Sequence, residues 1–260
     1  MASIDYDTIA HEYAESRQML PETLAQWLAL MVREGGVRAT SFVLDVGCGV
    51  ARFTAPLAEA TGAMVVGVDI SSEMLKQAPP RKAGVRAPLL QADACALPFA
   101  DDAFDCIFMS HLLHHVADRC RCMGEVARCL KPGGRLLNRT GRTSIENPIL
   151  EYRLFPEARE VDAQRMTTDA QLDALLRSVG LSPLHWIDVR QKWVHTAGAR
   201  LAQIRQKYIS SLHLITEEEF QAGLRRAERY AREHPGDAAW QYETVSMLVA
   251  EKRGQGQRDD

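Results

Sequence analysis

Segments with the polar and apolar pattern of strands recur along the chain. Five lie within the first 140 residues and begin at Phe42, Met64, Leu89, Phe104 and Arg135. Their short, largely apolar runs are typical of strands buried on both faces of a parallel sheet. Two further segments, starting at 184 and 247, raise the number of predicted strands to seven. With helical segments between them, the pattern predicts an α/β protein with a Rossmann-like, mostly parallel sheet and helices on both faces.

The segments around the strands repeat apolar residues at helical spacing. Residues 1–35 are predicted to form a helical cover, because Leu24, Trp27, Leu28 and Met31 follow an i, i+3, i+4, i+7 pattern. Residues 197–235 are mostly helical in pattern and longer than a sheet connection requires, so we expect a helical lid there. By contrast, 141–162 has no clean periodicity, and we interpret it as an insertion that shapes a pocket.

These segments give the predicted organisation of the chain. A core over 36–196 carries the insertion, 236–253 supplies the last strand, and the polar residues 254–260 form a disordered tail. The lid contains several basic side chains that either bind an anionic substrate or form a solvated face, namely Arg200, Arg205, Lys207, Arg225 and Arg226.

Composition narrows the possible partners. The 260 residues are 46% apolar and 25% charged, and the formal net charge is −3. A mildly acidic chain of this kind argues against a nucleic-acid substrate. The amino-terminal sequence lacks the apolar region of a signal peptide, and no apolar run is long enough to span a membrane. We therefore expect a cytoplasmic protein without a membrane span.

A glycine-rich turn follows the first predicted strand. Apolar residues from Phe42 to Val46 lead into Gly47 and Gly49, and a helical pattern begins near Arg52. We expect a ligand on this turn to meet free backbone N–H groups and the positive end of a helix dipole. A glycine-rich turn alone is weak evidence of binding.

A carboxylate ends the second predicted strand. Asp69 lies twenty positions after Gly49, and in a strand-turn-helix-strand unit this spacing brings the carboxylate beside the glycine turn. There it can accept hydrogen bonds from the hydroxyls of a ribose. The alternative is that Asp69 caps the next helix, a role that Ser71 or Ser72 could fill equally well.

Cysteines and histidines do not follow metal-site spacing. The six cysteines form no C-x-x-C pair, and we interpret them as reduced packing residues, with a thiol near a soft substrate as the alternative. The three histidines at 111, 114 and 115 share no suitable spacing with carboxylates or thiols. No metal is predicted.

Several motifs together resemble one family. Asp45-x-Gly47-x-Gly49-x-Ala51 is similar to the acid-x-Gly-x-Gly-x-Gly motif of the class I S-adenosylmethionine (SAM) methyltransferases. Matching segments follow in the family's order at 93–94, 97–105, 110–116 and 130–135. The resemblance is greatest to the ubiquinone/menaquinone C-methyltransferase subset (methyltransferase type 11). Ala51 replaces the last glycine, which should cost little unless the backbone there needs a positive φ.

The resemblance implies SAM as the cofactor and methyl transfer to a small-molecule acceptor by in-line displacement. It places the following residues at the cofactor: Arg17, Asp45, Gly47, Cys48, Gly49, Asp69, Ile70, Met74, Asp93, Ala94, Ser110 and His111. Arg17 would bind the methionine carboxylate, and Ile70 and Met74 would flank the adenine or pack in the core. His111 is the candidate base, and Tyr6, Tyr13 and His115 are candidate pocket residues.

Two alternatives remain open at this point. The second hypothesis is a SAM-binding regulatory protein without turnover, and the third is a nicotinamide dehydrogenase, which uses a related turn. The acceptor, the acceptor atom and the oligomeric state are not predicted.

Overall fold

A computed structural model describes Asp7 and residues 19–80, 82–145 and 149–254. Its strands form one sheet in the order β3-β2-β1-β4-β5-β7-β6. They are β1 (Phe42–Val46), β2 (Met64–Asp69), β3 (Leu89–Gln91), β4 (Phe104–Ser110), β5 (Leu130–Thr140), β6 (Leu181–Lys192) and β7 (Tyr242–Lys252). Strands β1 to β5 pair in parallel, and β7 is antiparallel to both β5 and β6. The predicted seven-stranded, mostly parallel sheet is confirmed.

Helices connect the strands and cover the sheet. They are α1 (Pro21–Gly35), α2 (Thr54–Thr61), α3 (Ser72–Lys76), α4 (Arg119–Cys129), α5 (Glu151–Leu154), α6 (Pro156–Arg165), α7 (Asp169–Ser178), α8 (Ala197–Arg205) and α9 (Glu217–Glu233), with 3-10 turns at Leu113–His115, Ser210–His213 and Ala238–Trp240. Local signals set several ends: Gly36 ends α1 in the left-handed region, and Asp118 caps α4. Among the described residues, no helix is long and apolar enough to cross a membrane.

Each face of the sheet has its own apolar core. On one face, Met123 and Val126 of α4 and Leu176 of α7 pack against strand residues such as Ile107 and Leu136. On the other, α1 and α2 cover the alternate residues of the same strands, which include Phe108 and Leu137. This two-sided burial is what holds the strand ends in a fixed register at the edge where ligands bind in open α/β sheets.

A third apolar core joins the predicted insertion to the predicted lid. Leu154 and Phe155 from the insertion pack with Ile204 and Phe220 from the lid, and with Trp240 before β7. The segment 141–162, which shows no clean periodicity in the sequence, contains α5 and the start of α6 from residue 151 onward. Pro156 starts α6, because proline is tolerated at the first helical position.

Three smaller predictions differ from the structure. Phe42 is 45% exposed because it is the first residue of β1, at the amino edge of the sheet. The helix after the glycine turn begins at Thr54 and not near Arg52. Arg200 is fully buried in the third core, where it pairs with Glu151, so it belongs to neither a solvated face nor an open anion site.

Candidate functional site

The glycine turn between β1 and α2 folds back onto β2. Gly47 N and Cys48 N both donate to the carbonyl oxygen of Val68, at 2.8 and 2.9 Å. Gly49 N donates to Asp69 Oδ2 at 2.7 Å. The expectation of free amides on this turn is therefore wrong, because the neighbouring strand already accepts their hydrogen bonds. What the turn offers a ligand is close approach: a Cβ added at Gly49 would meet nothing within 4 Å.

Asp69 faces the turn, as the twenty-residue spacing predicts. Besides Gly49 N, its carboxylate accepts a hydrogen bond from Ser71 N, at 2.9 Å to Oδ1. Burial raises the pKa of this carboxyl, and the two backbone donors partly oppose the effect. Ser71 caps α3 with its own hydroxyl, so the helix does not need Asp69 as its cap. Each oxygen of Asp69 accepts one of these bonds, and a carboxylate oxygen has a second lone pair for a ribose hydroxyl.

Ala51 has a left-handed backbone, with φ of 56°. Gly47 and Gly49 have φ of 68° and 54°, so the three positions of the motif share one conformation. A residue with a Cβ pays roughly 1–2 kcal/mol there. The low cost expected for alanine at this position applies only if φ is negative, and the φ of Ala51 is positive.

Asp45 lies beneath the turn and supports it from inside. Its side chain is 2% exposed and accepts a hydrogen bond from Thr54 Oγ1 at 2.7 Å. Burial raises the pKa of this carboxyl to about 7, although the Thr54 hydroxyl opposes the shift. The bond ties the end of β1 to the first residue of α2. Burial also raises the pKa of the Cys48 thiol, which therefore stays protonated.

The residues predicted near adenine have different exposures. Ile70 is 67% exposed at the tip of β2, whereas Met74 is 3% exposed. The exposure of Ile70 leaves its predicted place beside adenine open, although a single exposed apolar side chain is not by itself evidence of a ligand. The burial of Met74 favours packing. Asp93 is exposed after β3, and its carboxylate accepts from Cys95 N at 2.8 Å in a local turn that includes Ala94.

The carboxyl end of β4 is held by a residue that the sequence did not single out. Arg139 on β5 donates from Nη1 to Ser110 Oγ at 3.1 Å, and its carbonyl oxygen accepts from His111 N at 2.8 Å. Arg139 is 3% exposed and stacks 4.5 Å from the ring centroid of Trp27. His111 itself has φ of 51°. A charged residue in the predicted fifth strand was the only available signal for this role.

The other histidines follow on the turn after β4. The rings of His114 and His115 lie 4.1 Å apart, and those of His111 and His114 lie 6.5 Å apart. His115 is exposed and His114 half-buried. Within the described ranges, no group of three or more His, Cys, Asp or Glu side chains could hold a metal ion.

The amino-terminal segment reaches this edge at one described position. Asp7 accepts a hydrogen bond from the Ser71 hydroxyl, next to Asp69. Tyr6, Tyr13 and Arg17 lie outside the described residues, so their predicted roles stay predictions.

Together these residues fit a nucleoside with a methionine-like tail. An acceptor for ribose hydroxyls at Asp69, an open face at Gly49 and an exposed apolar flank at Ile70 lie at the tips of adjacent strands. Ser110 and His111 end the strand on the other side of β1. This is the position where doubly wound sheets bind their ligands.

Comparisons with known proteins agree with this geometry. Residues 44–138 match the family described as a methyltransferase domain. The chain is 31% identical to the 27-O-demethylrifamycin SV methyltransferase of Amycolatopsis mediterranei over 84% of this chain and 80% of that protein. A ubiquinone/menaquinone biosynthesis C-methyltransferase of Marinomonas sp. is 38% identical over 43% of this chain. That match spans less than half, 47%, of the ubiquinone enzyme's own length.

Solved structures show the same fold at low sequence identity. A protein from Anabaena variabilis, described as a methyltransferase of an antibiotic biosynthesis pathway, superposes with a TM-score of 0.72 at 17% identity. The superposition covers 86% of this chain and 96% of that protein. The sequence match along most of the rifamycin relative, the domain match across the turn and the Asp69 contact lead to one assignment: this chain belongs to the class I SAM-dependent methyltransferases.

Proposed function

We propose that this protein transfers the methyl group of SAM to a hydroxyl oxygen of a small organic acceptor. The observation that carries the proposal is the contact between two neighbouring strand tips, where Asp69 Oδ2 accepts from Gly49 N. The acceptor class rests on the relative that is matched over most of its length, whose name places the transferred methyl on an oxygen of a demethylrifamycin.

When bound, SAM supplies an activated methyl group, which the acceptor's lone pair takes by in-line displacement from sulfur. The protein's part is to align the two partners, and alignment of this kind contributes roughly 7–11 kcal/mol to lowering a barrier. Asp69 would hold the ribose, and Ser110 and His111 would border the methionine moiety. His111 is the candidate base for the proton that leaves the acceptor hydroxyl, since imidazole titrates near neutral pH.

Three segments would form the acceptor pocket. Tyr6 and Tyr13 of the amino-terminal segment and His115 after β4 are its proposed wall residues. The other two segments are the insertion at 141–162 and the helical lid at 197–235, which pack together in the third core. The acceptor would therefore enter between the sheet edge and the helical lid.

A panel of hydroxylated small molecules incubated with methyl-labelled SAM tests the proposal. We expect label on an oxygen of at least one acceptor, and loss of most of that label when Asp69 is replaced by Asn. SAM binding without label in any acceptor would favour the regulatory alternative. Thermal stabilisation by NAD and not by SAM would overturn the cofactor and favour a dehydrogenase.

A further inference from the structure

A network of buried, hydrogen-bonded polar side chains begins in the helical lid at residues 197–235. Arg200 on α8 donates from Nε and Nη2 to the two carboxylate oxygens of Glu151, at 2.7 and 2.8 Å. The same Nη2 lies 3.3 Å from Oε2 of Glu243 on β7. Arg200 and Glu151 are fully buried, and Glu243 is 9% exposed. Arg200 thus joins the start of α5 to the last strand of the sheet.

Gln191 on β6 continues this network toward the edge of the sheet where β4 ends. Its Nε2 donates to Glu243 Oε1 at 2.5 Å, and its Oε1 accepts from Arg139 Nη2 at 3.1 Å. The indole N–H of Trp27 donates to the same Oε1. Gln191 is fully buried, so its amide has a defined direction, with the donor toward Glu243 and the acceptor toward Arg139.

Arg139 connects this network to the residues at the end of β4. Its Nη1 holds the Ser110 hydroxyl, its carbonyl oxygen holds His111 N, and its guanidinium stacks on Trp27. The bond from His111 N is a backbone bond where β4 and β5 pair, so only the Ser110 hydroxyl depends on the orientation of the guanidinium. The guanidinium itself contacts Ser110 Oγ, Gln191 Oε1 and the Trp27 ring.

The charged side chains of this network are two arginines and two glutamates, so their formal charges cancel. Arg139 and Arg200 carry two positive charges, and Glu151 and Glu243 carry two negative ones, with neutral Gln191 between the two halves. Gln191 is neutral and lies between Arg139 and Glu243, so replacing it removes hydrogen bonds from the network without removing a charge. Removing its amide separates Glu243 and Arg200 from Arg139, which borders the proposed cofactor site.

We propose that Gln191 is a positioning residue for SAM binding. It orients the guanidinium of Arg139, the guanidinium orients the Ser110 hydroxyl, and the helical lid thereby contributes to cofactor affinity from a distance. The inference rests on the proposed placement of the methionine moiety beside Ser110 and His111.

Calorimetric titration of the full chain with SAM tests this role. Gln191→Met keeps the volume and removes the three hydrogen bonds of the side-chain amide, and we expect the dissociation constant for SAM to rise about tenfold or more. Gln203→Met is the matched control, because Gln203 Oε1 also accepts an indole N–H, that of Trp193 at 2.7 Å, within the lid. Its SAM affinity should stay within about twofold of the wild type.

A double-mutant cycle separates positioning from general damage. In a Ser110→Ala background, Gln191→Met should weaken SAM binding much less than it does in the wild type, because the shared contact is already lost. Equal losses in both backgrounds, an unchanged affinity of folded Gln191→Met, or an equal loss in Gln203→Met would overturn the inference.

Two further results complete the test. If Gln191→Met does not fold, Gln191→Asn retains polarity but shortens the side chain, and wild-type SAM affinity in that variant would contradict the role. A wild-type protein that does not bind SAM would refute the proposed function and not this inference alone.

Discussion

At the scale of single residues, the turn after β1 combines an unusual backbone with a buried acid. Gly47, Gly49 and Ala51 all have positive φ, and Asp45 lies beneath them with 2% of its side chain exposed. The glycines and the acid could be predicted from spacing alone. The conformation of Ala51 could not, because the sign of φ depends on how the turn closes onto Val68 and Asp69.

Substitutions at Ala51 test the left-handed backbone. Ala51→Gly should change the free energy of unfolding by less than about 1 kcal/mol, since relief of roughly 1–2 kcal/mol is offset by glycine's entropy cost and one lost buried methyl. Ala51→Val should cost at least about 2 kcal/mol, because a β-branched residue is strained at positive φ. Urea denaturation measures both.

The control for that pair is Ala55→Val on α2, where the side chain borders a cavity and the backbone is helical. It should cost less than about 1 kcal/mol. Equal tolerance of valine at both positions would contradict a positive φ at Ala51.

Asp45 should make stability depend on pH. Its pKa of about 7 in the folded protein lies above its ordinary value of 3.8, because the carboxyl is buried. Between these values the folded state binds more protons than the unfolded chain, so the free energy of unfolding falls as pH rises. Asp45→Asn does not titrate, so the free energy of unfolding of the wild type should fall by roughly 2–3 kcal/mol relative to that of the variant between about pH 5 and pH 8.

Urea denaturation at a series of pH values checks this dependence. Asp173→Asn, an exposed substitution on α7, serves as the control and should follow the wild-type curve. Parallel curves for Asp45→Asn and the wild type would show that the carboxyl is not protonated in the folded state near neutral pH.

At the scale of elements, the helical lid is tied to the sheet by charge as well as by its apolar core. Arg200 meets Glu151 and Glu243, which lie 49 and 43 positions away in the sequence. A periodic pattern identifies the helices of the lid, but it cannot show that an arginine is buried when its partners come from distant segments. The sequence pattern therefore places Arg200 in one group with Arg205, although only Arg205 is exposed.

Removing the Arg200 charge should therefore destabilise the protein strongly. Arg200→Met leaves two buried carboxylates unpaired and should lower the free energy of unfolding by about 3–5 kcal/mol. Arg205→Met removes an exposed pair with Glu228 and should change it by about 0.5 kcal/mol or less. Tryptophan fluorescence during urea unfolding reports on this region through Trp193 and Trp240. Similar effects of the two substitutions would contradict the buried pairing.

At the scale of the whole molecule, a parallel sheet brings distant residues to one edge. Asp69 and Gly49 meet there because β1 and β2 pair in register from Phe42 with Met64 to Val46 with Val68. The fold, the cofactor edge and the approach of Asp69 follow from strand patterns and glycine spacing, which are local. The turn amides donate to Val68 and Asp69, and Arg139 holds the end of β4. Both features depend on contacts between strands, which a single sequence does not reveal.

Calorimetric titration with SAM tests most directly whether the Asp69 carboxylate accepts hydrogen bonds from the ribose. Asp69→Asn keeps the shape but removes one acceptor oxygen and the charge, so SAM affinity should fall at least about tenfold. Asp173→Asn makes the same chemical change on the exposed face of α7 and should bind SAM as the wild type does. Unchanged affinity in folded Asp69→Asn would contradict the cofactor site described for this protein.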